Sequence, residues 1–185
     1  MLINTYLVQP NIVDNDIKDI KPSEELTWDE IKEKYPNVKF PEGMQLKYAE
    51  AYAQNTDLVG WLKIDKLKMD FPILQTDNDS YYLKRSFTHR YTDLGNPFLA
   101  HANSIEPLDR NSIIYGHSTR SSDKIFSKLF DYRTTRGFIN NPIIEFNTIY
   151  HDYKWKVYAV FITNATTAED LSLIHISEPT RPEPI

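Results

Sequence analysis

Five histidines carry most of the near-neutral ionisable chemistry in this 185-residue chain: His89, His101, His117, His151 and His175. None falls in an H-x-x-x-H or H-x-H spacing, and there is no cysteine. A disulfide and a thiolate from these residues are therefore excluded, and the histidine spacing argues against a structural zinc site. By default each histidine is a surface or turn residue. His117 is placed differently, after the apolar run Ile113-Ile114-Tyr115 and then Gly116. A strand pins that position, and the glycine lets the chain turn and bares the imidazole. Such a mount suits a general acid or base. A plain turn histidine would look the same. Ser112 and Ser118 lie close by in sequence, but no G-x-S-x-G elbow is present to support a serine hydrolase built on either of them with His117.

The elements that must position His117 are mainly strands. Thr27-Trp28-Asp29-Glu30 has the T-x-x-E form of a capping box, so a helix starts there. Pro36 ends it, and a second helix runs from Met44 to Gln54 with Met44, Tyr48, Ala51 and Tyr52 near one face. Strands follow from Val59. Leu67, Met69, Phe71 and Ile73 alternate with Lys68, Asp70 and Pro72, the period of a half-buried strand, and Pro72 predicts an edge or a bulge. Asp77 to Ser80 is a turn, Tyr81-Tyr82-Leu83 a short helical piece, and Gly95-Asn96-Pro97 leads into a strand over 98–101. Ser122 is a candidate cap for a helix burying Ile125, Phe126, Leu129 and Phe130. Residues 143–147 and 155–163 read as a hairpin around Tyr150-His151-Asp152. Its second strand is apolar on both faces, which predicts a central, doubly covered position. The expected fold is mainly β, mostly antiparallel with short helices, preceded by an N-terminal helical pair.

Composition excludes some functions. With 26 acidic and 21 basic residues the net charge is −5, which argues against nucleic acid as a partner. No stretch approaches the ~20 apolar residues of a membrane span, and the start lacks a signal peptide's basic region. The chain therefore reads either as cytosolic or as having lost an N-terminal anchor. Residues 1–22 read as a polar arm. Residues 166–185 read as a non-native or disordered tail, because Leu171 to Ser177 resembles the peptide encoded by sequencing-adapter DNA. Pro179, Pro182 and Pro184 exclude a helix or a central strand at its end. A natural proline-rich terminus would read the same.

The stretch Asn111-Ser112-Ile113-Ile114-Tyr115-Gly116-His117-Ser118 resembles the one that ends in the catalytic histidine of sortases, cysteine transpeptidases of Gram-positive cell surfaces. Residues 52–64, from Tyr52 to Ile64, resemble that family's entry into its first barrel strand. Asp79-Ser80-Tyr81-Tyr82-Leu83 resembles its N-x-x-Y-L segment beside the substrate groove, and the N-terminal helical pair is the class B feature. The resemblance covers about residues 40–165. It implies a partial sortase-type β-barrel over 56–165 behind helices in 23–55. It implies His117 as the catalytic histidine and Asp79 and Leu83 as substrate-binding residues. No metal or organic cofactor is implied.

The implied partners are the sorting-signal peptide of a surface protein and an amine of a cell-wall precursor or a pilin. The implied place is the extracellular face of the Gram-positive cell membrane, reached only through an anchor missing here. In that family a thiolate attacks a Thr–Gly bond, the histidine protonates the leaving amine and an arginine steadies the oxyanion. The sequence departs from the pattern in three ways. Asp79 stands where Asn is usual, and Ala100-His101-Ala102-Asn103 replaces a D-Y-R-N run. The T-L-x-T-C strand and the later arginine strand have no counterpart, and Arg181 in the tail does not replace that arginine. The chain is thus expected to be a truncated, inactive fragment. The alternative is a non-catalytic sortase-like module that binds peptides at the surface.

Overall fold

A computed structural model describes residues 20–23, 25–118 and 124–160. Helix α1, Trp28–Lys34, opens with the expected capping box. The Thr27 N–H donates to a Glu30 carboxylate oxygen at 2.7 Å, and the Glu30 N–H donates to the Thr27 hydroxyl at 3.4 Å. Ile31 is its buried contact with the core. A 3-10 turn, Leu46–Tyr48, runs directly into α2, Ala49–Gln54. Met44, Tyr48, Ala49 and Ala51 are buried, so this apolar face packs inward as expected.

Six strands form one curled sheet, a half-barrel in the order β4-β3-β2-β1-β5-β6. They are β1 Leu58–Ile64, β2 Met69–Leu74, β3 Phe98–Leu99, β4 Ile114–Tyr115, β5 Ile143–Thr148 and β6 Lys154–Lys156. All neighbours are antiparallel except β2 and β3. The core covers both faces of β1 and β2: Trp61 meets Tyr48 of the N-terminal helical segment on one face, and Leu62, Ile64, Met69, Phe71 and Ile73 are buried on the other. Each such apolar side chain stabilises by roughly 1.5–3 kcal/mol on burial. Gly60 lets β1 and β5 approach closely, since a Cβ there would lie 2.3 Å from the Asn147 carbonyl oxygen. The β1–β2 register shifts between Leu58 and Gly60, and such an irregularity sharpens a sheet's local bend.

Three expectations need correction. First, β2 is an inner strand of the order and is not half-buried: Pro72 and Leu74 are buried beside Met69, Phe71 and Ile73. Pro72 is tolerated because β2 meets β3 only at Leu74 and Phe98, while the Pro72 carbonyl accepts from the Asn96 amide at 3.0 Å. A residue's N–H and C=O point to the same side of a strand. The donor that proline lacks would thus face Asn96, not the β1 ladder.

Second, residues 125–133 form a 3-10 helix, Ile125–Arg133. Three residues per turn align Phe126, Leu129 and Tyr132, and leave Phe130 exposed. The proposed cap Ser122 lies outside the described residues. Third, of the strand expected over 155–163, residues 161–163 lie outside the described residues, and among the described ones β6 is short and sits at the edge of the order with all three residues exposed. Tyr158 and Val160 beyond it are exposed as well. Residues 1–19 and 161–185, including the proposed arm and tail, lie largely or wholly outside the described set.

Candidate active site

β4 is only two residues long, so its position depends on side-chain ties. Ile114 pairs with Leu99, and Tyr115 pairs with Phe98 with ring centroids 5.2 Å apart. One residue earlier, the Ile113 N–H donates to Asn103 Oδ1 at 2.8 Å, and the Ile113 carbonyl accepts from the Ala100 N–H at 2.8 Å. The Asn103 amide also donates to Asp109 Oδ2 and to the Asn111 carbonyl, closing the loop before β4. Past β4, Gly116 and His117 are half-buried, and the His117 carbonyl accepts from the Phe126 N–H at 3.1 Å. The histidine therefore leaves the end of a strand through a glycine, as its sequence context suggests.

Asp79 and Leu83 sit on a segment fastened from beneath. Asn78 Oδ1 accepts from the Ser80 N–H, the Ser80 hydroxyl and the Tyr81 N–H, which shapes the turn into the 3-10 helix Tyr81–Leu83. The Tyr82 hydroxyl donates to Asp57 Oδ2 at 2.7 Å and accepts from the Asn55 amide at 3.0 Å. Burial pushes the Tyr82 phenol well above its ordinary value, and the Asn55 hydrogen bond only partly opposes this. Gly95 has φ +61, and a Cβ there would lie 2.3 Å from the Tyr82 carbonyl oxygen and 2.6 Å from that of Leu83. Only glycine fits both the conformation and the space. Leu83 itself is exposed.

Asp79 is engaged by His101, a residue the sequence marks only as a departure. Asp79 Oδ1 accepts the His101 N–H at 2.7 Å, and Oδ2 lies 2.9 Å from His101 Nδ1. Burial alone would raise the Asp79 carboxyl. The His101 N–H, ring and charge together more than offset this and bring it below its ordinary value.

The ladder separates these sites. β3 and β4 are antiparallel, so His117 leaves from the end where β3 begins, near Gly95, Asn96 and the Leu83 carbonyl. His101 and Asp79 lie past the other end of β3. A cavity of about 530 Å³ opens elsewhere, between Lys66 and Leu67 and the walls formed by Asp131, Arg136 and Asn141. His117, Asp79 and Leu83 do not line it.

No protein-family model matches the chain. Among curated proteins, sortase B of Listeria monocytogenes serovar 1/2a (strain ATCC BAA-679 / EGD-e) is 32% identical over 109 residues, covering 59% of this chain and 44% of that protein. Sortase B of Staphylococcus aureus (strain NCTC 8325 / PS 47) is 27% identical over 142 residues, covering 76% and 58%. In sequence and in fold the chain is similar to class B sortases. Solved structures agree with this class B likeness. A Staphylococcus aureus sortase B–substrate complex matches with TM-score 0.60 at 25% identity, over 71% of this chain and 58% of that one. A sortase B complexed with triglycine matches with TM-score 0.59 at 28% identity, over 61% and 52%. The sortase-like chain spans about half the length of the curated relatives it matches. Among its described residues, no helix is long and apolar enough to cross a membrane.

Proposed function

We propose that this chain carries the histidine side of a sortase-type cysteine transpeptidase site, with residues 56–165 as its barrel and 23–55 as the helical pair packed on it. One observation carries the reading: His117 leaves the end of β4 through Gly116, in a half-barrel like those of class B sortases. In the reaction a thiolate attacks the carbonyl carbon of threonine in a surface protein's sorting motif. The Thr–Gly C–N bond breaks, and the His117 imidazolium gives its proton to the departing glycine nitrogen. An amine of a cell-wall precursor or a pilin then attacks the thioester, passes a proton to His117, forms the new amide and returns the thiolate. The matched complexes with a substrate and with triglycine support a peptide and an amine as the two partners. Asp79 and Leu83 are assigned to the peptide side. The place of action is the outer face of a Gram-positive cell membrane.

The 185 residues contain no cysteine. On this reading the thiol and the oxyanion-binding arginine come from strands beyond them, and the chain alone is inactive. The missing thiol also favours a second reading, a non-catalytic module of the same fold that binds peptides. A fluorogenic sorting peptide separates the two. Turnover is expected only when the chain is extended through a thiol-bearing strand and an arginine strand. His117→Ala should then lower kcat by about 10²–10⁴-fold. Turnover by the 185-residue chain would overturn the fragment reading, and an extended chain indifferent to His117→Ala would overturn the role of this histidine. Peptide binding without turnover in the extended chain would favour the module.

A further inference from the structure

We propose that Phe126 is the positioning residue for His117: its main chain and its ring together hold the end of β4 from outside the sheet. This rests on the reading of His117 as the proton donor. No hydrogen bond to the His117 ring occurs among the described residues, whereas histidines in acid–base roles commonly have the second ring nitrogen oriented by a partner. The backbone that carries the His117 ring is therefore the part whose placement the described contacts account for. Two contacts from Phe126 act there. Its N–H donates to the His117 carbonyl at 3.1 Å. Its ring packs against Gly116 so closely that a Cβ on that glycine would lie 2.5 Å from Cδ2 and 2.6 Å from Cε2. Ordinary van der Waals contact begins near 3.4 Å, so the glycine makes room for the ring.

The segment that brings Phe126 to this place is itself firmly seated. Ile125 is buried and has φ +46, a left-handed conformation that is a genuine outlier for a β-branched residue. Such a conformation persists only where the surroundings over-determine it. Here Ile125 is committed to the core while the next residue turns to residues 116 and 117. Phe126, Leu129 and Tyr132 follow one row of the 3-10 helix, and all three pack on the core. At the far end the Tyr132 hydroxyl donates to the Asn141 carbonyl at 2.8 Å. The row is thus anchored in the core along its length, and its first ring bears on the glycine before His117.

The test has two arms. In the 185-residue chain, the His117 ring cross-peak is assigned by its loss in His117→Ala. It should be single in the parent and in Phe126→Leu, and broadened or doubled in Phe126→Ala. Core methyl signals report whether the fold is kept. Gly116→Ala should also disturb the His117 signal, and less so in the Phe126→Ala background, where the space for a Cβ exists. In the chain extended to a thiol, Phe126→Ala should lower kcat by about ten- to a hundredfold at similar KM, and Phe126→Leu should restore most of it.

A single unperturbed His117 signal in Phe126→Ala overturns the proposal. Strictly additive effects of Gly116→Ala and Phe126→Ala overturn it as well, and where Phe126→Ala folds poorly the same additivity is read between Gly116→Ala and Phe126→Leu. An extended chain with no turnover at all counts against the transpeptidase reading, and the spectroscopic arm still decides the role of Phe126.

Discussion

His101 holds the Asp79 carboxyl below its ordinary value against the opposing effect of burial, and that influence can be measured. The folded carboxyl lies below the 3.8 of an unperturbed aspartate. Its contribution to stability is therefore present above that value and is lost as pH falls through the folded value. Asp79 is 35% exposed and His101 52%, so solvent screening keeps the energy small. His101→Ala should move the Asp79 titration upward, read by carboxyl-carbon NMR; an unmoved titration would refute the pairing. Sequence reasoning reaches His117, because a strand followed by glycine and histidine is a local pattern. It reaches Asp79 and Leu83 only through resemblance. It does not reach His101 as the partner of Asp79, since a bond between a turn and the end of a strand 22 positions later is tertiary. Phe126 is missed for the same reason, although its place on the apolar row is visible.

The turns and helices that frame the site are largely legible, and the exceptions have local causes. The capping box at Thr27, the break before Pro36 and the Gly95-Asn96-Pro97 entry into β3 all depend on backbone requirements that particular residue types meet. The inner place of β2 is hidden by Pro72, because no local rule reveals that Asn96 takes its carbonyl. The row in 125–133 is hidden by its period of three, since apolar residues at 125, 126, 129 and 130 fit an α-helix as well. Gly95→Ala tests the frame directly. Placing alanine at φ +61 costs about 1–2 kcal/mol for the left-handed backbone alone. The cost should exceed this, because the new Cβ meets two carbonyl oxygens. Urea unfolding would show the loss, and unchanged stability would mean that the turn relaxes freely. Thr27→Ala, by contrast, should cost only about 1 kcal/mol.

The helical pair and the half-barrel share one core. The Tyr48 ring stacks on Trp61 of β1 at 6.5 Å with an interplanar angle of 20°, and burial holds the Tyr48 phenol well above its ordinary value. Lys47 adds an ion pair with Asp152 after β5 at 2.7 Å. Tyr48→Ala should cost about 3–5 kcal/mol, as for other large aromatic deletions. Far-UV circular dichroism and tryptophan fluorescence should still lose their signals in one coincident transition. Two separated transitions would show that the helices and the sheet unfold as independent units.

The strand order also sets a sequence of events in time. β1 meets β2 across the short turn Asp65–Leu67, but meets β5 only after roughly eighty intervening residues have been gathered in. The hairpin contact should form early and the β5 contact late. Met69→Ala is then expected to slow refolding, and Phe146→Ala chiefly to speed unfolding, as stopped-flow fluorescence can distinguish. β4 joins through β3, and β3 touches β2 at a single residue pair. The corner that bears His117 is thus expected to be among the last parts assembled and the first to open, with amide exchange there faster than at β1.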